Sequence, residues 1–332
     1  KSMRSIAEQT HELVREFKGT HSGEHGDGLI RSEFLVPMLG KQLVSAFSDI
    51  KNLFDPSETL NPGKIVRPPK MDDRSLMRYK EGYRSLPIAT ALDWSPWGDW
   101  AQATEMCNNN GACRKSDPGV MCPSYRVTKD ERHVPRGRAN SLRLALTGQL
   151  GPEALISRDM YDTLSLCVGC KACQKECPMS VDITRMKMEF LHHYHGSHGL
   201  PLRERFIAWL PRYAKWMSRL PLISNWGSGK GLLAKLGDIF IGVTSHRENP
   251  QWRSDIFKSQ PQTASKTQEP EIVLWVDTFN TYFEPENAHA AIKVLEAAGY
   301  TVNLPVFEAR PACCGRTFLN AGLIDEARTE IE

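Results

Sequence analysis

The run Cys167-Val-Gly-Cys170-Lys-Ala-Cys173-Gln-Lys-Glu-Cys177-Pro178 holds the residues whose spacing most narrowly defines a chemistry. Three thiolates at two-residue gaps, then a fourth followed by proline, let one tight loop wrap a cubane iron–sulfur cluster. Where two such clusters sit together, the fourth cysteine of one run ligates the other cluster. That predicts a second run, and Cys107-x5-Cys113-x8-Cys122-Pro123 answers it with the same Cys-Pro ending. A structural zinc site is the alternative. It usually takes two CxxC or CxxH pairs set well apart, so three cysteines within seven residues favour iron and sulfide. A second constellation is Gly19-Thr-His-Ser-Gly-Glu24-His25-Gly26-Asp27-Gly28. Its four glycines imply unusual dihedrals and close approach of the backbone. The adjacent carboxylate and imidazole suit metal binding or proton movement, or else make a polar turn.

The elements that must position these residues fit a chain of 332 residues, long enough for two or three domains. A net charge of +3 leaves no global case for nucleic acid. Nine cysteines, seven of them in the two motifs, argue for metal binding in a reducing compartment, hence the cytoplasm, rather than disulfides. No apolar run approaches the roughly 18 residues of a membrane span. The chain opens on a helix with Ile6, Leu13, Val14 and Phe17 on one stripe and closes on another from Ala321. Both ends read as cuts through domains, so an internal fragment of a longer polypeptide is expected. Residues 1–66 carry the Glu-His-Gly turn and a second helix, whose stripe of Leu43, Phe47, Ile50 and Phe54 reads as core. Residues 67–100 read as a surface linker and 101–198 as the helical cluster domain.

Residues 199–268 interleave Arg203, Arg205, Arg212, Lys215 and Arg219 with Phe206, Trp209, Trp216 and Leu220 before a polar linker over 251–270. Such a segment suits contact with the inner membrane face, or short helices packed on the cluster domain with their basic face in water; Pro201, Pro211 and Pro221 divide it. Residues 269–332 begin a β-α-β unit: strands at Ile272–Val276 and Tyr300–Val306 flank a helix opened by Pro285. His192, His193, His195 and His198 crowd one helix end, where polar or cationic side chains are favoured whether or not a metal binds.

Three resemblances add to this reading. Ser22-Gly23-Glu24-His25-Gly26 with Phe54-Asp55-Pro56-x3-Leu60-Asn61-Pro62-Gly63-Lys64 resembles the C-terminal end of FAD-linked dehydrogenases of the vanillyl-alcohol-oxidase type. That resemblance implies FAD, a divalent metal (zinc or manganese) at Glu24, a proton-accepting His25 and a flavin-adjacent Asn61. The two cysteine runs set among helices, with Pro135-Arg136-Gly137-Arg138 between them, resemble the α-helical ferredoxin domain of succinate dehydrogenase and of the glycolate oxidase iron–sulfur subunit. There the tract's arginines would stabilise anionic clusters, or simply start a helix. Ala312-Cys313-Cys314-Gly315 resembles the CCG domain of heterodisulfide reductases, although the usual upstream cysteine is replaced by Asp277 to Asn280. The fold implied is α+β but mostly α: an FAD-oxidase tail, a helical ferredoxin domain, then the first β-α-β half of a CCG domain.

One departure from the ferredoxin-like pattern matters. Asn110 stands where that family has the middle cysteine of its first run. With the crossover applied, Cys122, Cys167, Cys170 and Cys173 make one complete 4Fe-4S site. Cys107, Cys113 and Cys177 then leave a second site of three thiolates: a 3Fe-4S cluster, an atypical 4Fe-4S cluster, or a degenerate site. The order of segments resembles large fused flavin/iron–sulfur dehydrogenases that oxidise D-2-hydroxyacids such as D-2-hydroxyglutarate or D-lactate. Electrons would leave FAD through the clusters to a quinone or an electron-transfer protein. The alternative is a non-catalytic electron-transfer module reduced by a separate flavoprotein.

Overall fold

In the computed structural model, the described residues are 2–225, 232–259, 270–306, 310–311 and 313–331. They fall into two compact units, Lys1–Arg84 and Ser85–Glu332.

The first unit is built on the helices Ser2–Glu16 and Lys41–Phe54. The Arg4 guanidinium donates to Glu8, Glu33 and Asp72 at 2.9, 2.9 and 2.6 Å, tying the first helix to segments far along the chain. Asp55 ends the second helix. Its buried carboxylate accepts from Lys51 Nζ (2.6 Å) and from the backbone N–H groups of Thr59 (3.0 Å) and Leu60 (2.9 Å). The Lys51 ammonium holds that carboxyl well below the usual carboxylate range. The stripe expected as core is corrected here: the Lys41–Phe54 helix buries none of its residues, and Phe54 is 79% exposed. Helical spacing puts apolar residues on one face, but only a covering element buries that face.

The second unit is mostly helical. Its core gathers Val134, Leu142, Leu164, Ile183, Met186 and Phe190 from the helices Pro135–Leu146, Arg158–Ser165 and Ile183–His198 and the turns before them. Residues 85–100, expected as part of a linker, belong to this unit, and Trp94 and Trp100 are buried in its core. The reason is Glu189, wholly buried on the Ile183–His198 helix. Its carboxylate accepts from the N–H groups of Ala91 (2.8 Å) and Leu92 (2.9 Å), Trp94 Nε1 (3.0 Å) and His193 Nε2 (3.1 Å).

Prolines break the next segment into the helices Leu202–Ala208, Leu210–Met217 and Pro221–Ser224, as expected. Of the polar linker over 251–270, residues 260–269 lie outside the described residues, whereas Phe257 is buried and its N–H donates to Thr281 O at 3.0 Å. The β-α-β unit is present but with shorter strands: β1 (Glu271–Val273) pairs parallel with β2 (Thr301–Asn303), Ile272 opposite Val302. The helix Pro285–Ala297 lies between them. The last helices, Arg316–Asn320 and Ile324–Ile331, rest on the Ile183–His198 helix through Gly322. A Cβ there would lie 2.4 Å from the His192 nitrogen, and φ is +73°, so both space and dihedral require glycine.

Candidate metal centre

Four thiols meet in the second unit. Cys122, Cys167, Cys170 and Cys173 line one small cavity of about 20 Å³ with Met121, Arg138 and Thr184. Cys177, the last residue of the second run, does not line it. Cys122 takes that place, having come from the first run. Glu176 joins the two runs, its carboxylate accepting from the N–H groups of Val120 (2.8 Å) and Met121 (3.2 Å), immediately before Cys122.

The cavity's electrostatics suit an anion. Arg138 is 1% exposed and donates to Thr163 O (3.0 Å) and Ser124 Oγ (3.0 Å), with Nη1 3.7 Å from Cys122 Sγ. No carboxylate pairs with it among the described residues. The Thr184 hydroxyl, on the same wall, is buried without a hydrogen-bond partner. A buried, uncompensated guanidinium is costly unless a negative charge sits beside it. Lys187, half-buried beside the second run, donates to Cys167 O (2.7 Å) and Ser165 O (3.2 Å); desolvation pulls its pKa down. Burial pushes the Cys173 thiol up to about 12, against the N–H groups of Ile183 and Thr184 that open the following helix. The four converging thiols and the unpaired Arg138 guanidinium fit a [4Fe–4S] cluster, whose iron would have to ionise the Cys173 thiol on binding.

Arg138→Met is expected to lower the reduction potential of the cluster in this cavity, by on the order of 100 mV for a full charge lost nearby. Arg138→Lys should retain most of it. A potentiometric titration followed by electron paramagnetic resonance measures both, and equal potentials in wild type and Arg138→Met would show that the guanidinium does not face the cluster.

Pro135-Arg136-Gly137-Arg138 acts as a unit. Pro135 occupies the first helical turn, and Arg136 binds Glu131 Oε1 at 2.6 Å. Gly137 leaves room for the Glu131 carbonyl, which a Cβ would meet at 1.9 Å. Cys107 and Cys113 are buried nearby, and burial raises the Cys113 thiol despite a hydrogen bond from the Arg136 N–H. Asn110 is exposed and turned into its own loop: Oδ1 accepts from Ala112 N (2.8 Å) and Nδ2 donates to Asn108 Oδ1 (2.7 Å).

The remaining predicted sites differ in placement. Glu24 and His25 are 86% and 84% exposed, with Nε2 3.3 Å from Oε1, and Asn61 is exposed at φ +51°. The buried groups of that loop are instead His21 and Asp27, 3.6 Å apart. The four clustered histidines go to separate partners: His193 to Glu189, His195 Nδ1 to Ala321 O (2.8 Å), His192 to Gly322 O and His198 to Tyr194 O. Cys313 is buried and Cys314 exposed, while Ala312 lies outside the described residues. Sequence reasoning missed Thr184, Lys187 and Glu176. For Thr184 and Lys187 the one signal was a helix start, Asp182-Ile-Thr, four residues after the cysteine run.

Comparison with known proteins agrees with this architecture. Residues 1–65 match the family of FAD linked oxidases, C-terminal domain, and residues 103–181 match the 4Fe-4S dicluster domain. Along about 90% of its length the chain is similar to D-2-hydroxyglutarate dehydrogenases. It is 28% identical to the D-2-hydroxyglutarate dehydrogenase of Escherichia coli (strain K12), over 90% of this chain and 33% of that protein. It is 27% identical to that of Pseudomonas putida, over 92% of this chain and 34% of that protein. A probable glycolate oxidase iron-sulfur subunit of Bacillus subtilis is 24% identical over 65% of this chain and 50% of its own length. The chain therefore spans about a third of the length of the D-2-hydroxyglutarate dehydrogenases it matches. No solved structure matches it significantly.

Proposed function

We propose that this chain forms part of a flavin- and iron–sulfur-dependent D-2-hydroxyacid dehydrogenase, of the D-2-hydroxyglutarate or D-lactate class, producing the 2-oxoacid. The observation that carries the reading is the four-thiol cavity beside Arg138, on a chain whose first 65 residues match an FAD-oxidase domain. Flavin takes up electrons in pairs and clusters pass them singly, which gives a reason for joining the two on one polypeptide. Cys122, Cys167, Cys170 and Cys173 would hold one 4Fe-4S cluster, with Arg138 and Lys187 balancing its charge. Glu24 would supply one ligand to a divalent ion, His25 would accept the substrate's hydroxyl proton, and Asn61 would lie near the flavin. The β-α-β segment with Cys313 and Cys314 would begin a CCG domain. The final acceptor would be a quinone or an electron-transfer protein. The full-length protein should reduce an artificial one-electron acceptor with D-2-hydroxyglutarate or D-lactate; inactivity across a panel of D-2-hydroxyacids rejects the reading.

Cys107, Cys113 and Cys177 would hold a second cluster with three thiolates, since the Asn110 amide is engaged in its own loop. Air-oxidised protein should then show a three-iron signal near g of about 2. Asn110→Cys should convert the signal to that of a four-iron site; an unchanged spectrum would show that these three cysteines are wrongly grouped.

A second reading, an electron-transfer module in which the Glu-His-Gly turn is only structural, draws on the exposure of Glu24 and His25.

A further inference from the structure

Arg205 to Gly237 contains six basic residues (Arg205, Arg212, Lys215, Arg219, Lys230 and Lys235) and no aspartate or glutamate, with Arg212 paired to Glu330 at 2.7 Å and Asp238 following on the helix that carries Lys235. Within it, the corner joining the helices Leu210–Met217 and Pro221–Ser224 leaves large apolar side chains in water. Trp216 is 65% exposed, Leu220 60%, Leu222 91% and Ile223 67%. The Arg219 guanidinium lies 4.6 Å over the Trp216 ring. The corner is held in place, with Ser224 Oγ donating to Met217 O (2.8 Å) and Asn225 exchanging two 2.8 Å hydrogen bonds with the Trp252 backbone. The next helix, Leu232–Ile241, exposes Leu236, Ile239 and Phe240 at i, i+3 and i+4.

We propose that this corner docks the protein on an anionic lipid surface. A tryptophan beside an arginine suits the headgroup layer, where an apolar ring and a cation are both solvated. Leu222, almost wholly in solvent at the tip, suits insertion into a soft apolar phase better than the filling of a rigid pocket. The exposed Arg219 and Lys235 match a negatively charged bilayer, where each basic residue near the surface strengthens binding about fivefold. None of this depends on the reaction or on the clusters.

The test is co-sedimentation of the full-length protein with vesicles of phosphatidylcholine alone or with about one third phosphatidylglycerol. Binding should appear on the anionic vesicles and weaken as salt rises. Leu222→Asp with Ile223→Asp should lower the partition coefficient more than about tenfold while leaving iron content and circular dichroism unchanged. Arg219→Gln should cost about fivefold on anionic vesicles only. Equal sedimentation with both vesicle types, or unchanged binding by the double-aspartate variant, overturns the proposal. So does sedimentation equilibrium showing that the corner pairs two copies of the chain without binding lipid.

Discussion

Cys122→Ser is expected to remove one cluster's worth of metal, about four iron and four sulfide per chain in anaerobically prepared protein. The serine hydroxyl stays protonated at neutral pH and cannot replace a thiolate ligand. Cys122 belongs to the first run by sequence but stands in the cavity of the second, beside Arg138. Cys177→Ser, although within the second run, should leave that cavity's cluster in place and affect only the site of Cys107 and Cys113. If Cys177→Ser and Cys170→Ser strip the same cluster, the crossover is wrong. Stoichiometric zinc without sulfide would reject the cluster itself.

Emptying the cavity should also cost stability. Arg138 is 1% exposed, and losing the partner of a buried charge costs roughly 3–5 kcal/mol. Arg138→Met added to Cys122→Ser should therefore recover part of the loss, whereas in the loaded protein the same substitution removes a favourable contact. Denaturant melts of the four proteins form the cycle. A sum of independent effects would mean that Arg138 answers no charge in the cavity.

His25→Ala in the full-length enzyme is expected to lower turnover by about 10²–10⁴-fold, the range for loss of a general base. Glu24→Gln should instead weaken substrate binding and make activity depend on added divalent metal. Rapid anaerobic flavin reduction by substrate isolates this chemistry from later electron transfer. Wild-type reduction rates in both variants would make the Glu-His-Gly turn structural and bring the electron-transfer module forward. The exposure of both side chains gives that outcome its weight.

Much of this was legible from local pattern. Two-residue cysteine gaps specify a loop that can surround a cluster, because the ligands are covalently close and need no partner segment. The helices Pro135–Leu146 and Ile183–His198 follow from Pro135 and from Asp182, which accepts from the Arg185 N–H at 3.0 Å. Burial was less legible. The stripe of Leu43, Phe47, Ile50 and Phe54 has core spacing yet none of it is buried, whereas Trp94 and Trp100 of the Pro- and Trp-rich residues 85–100 enter the core beside a carboxylate 95 to 98 positions after the groups it binds. Periodicity describes one face of one element and contains nothing about what covers it.

The sequence by itself determined the type of chemistry: seven cysteines at cluster spacing and a Glu-His-Gly turn ahead of them. Tertiary structure decided which four cysteines share a cavity and which cation is buried beside them. Cys122 reaches Cys167, Cys170 and Cys173 only because the intervening helices fold back and Glu176 holds the 120–121 backbone. Arg138, equally readable as a helix start, is buried beside Cys122 because the same packing shuts it away from water and from carboxylates. Spacing along the chain sets which ligands can close a loop, but the electrostatic environment depends on segments that meet only after folding.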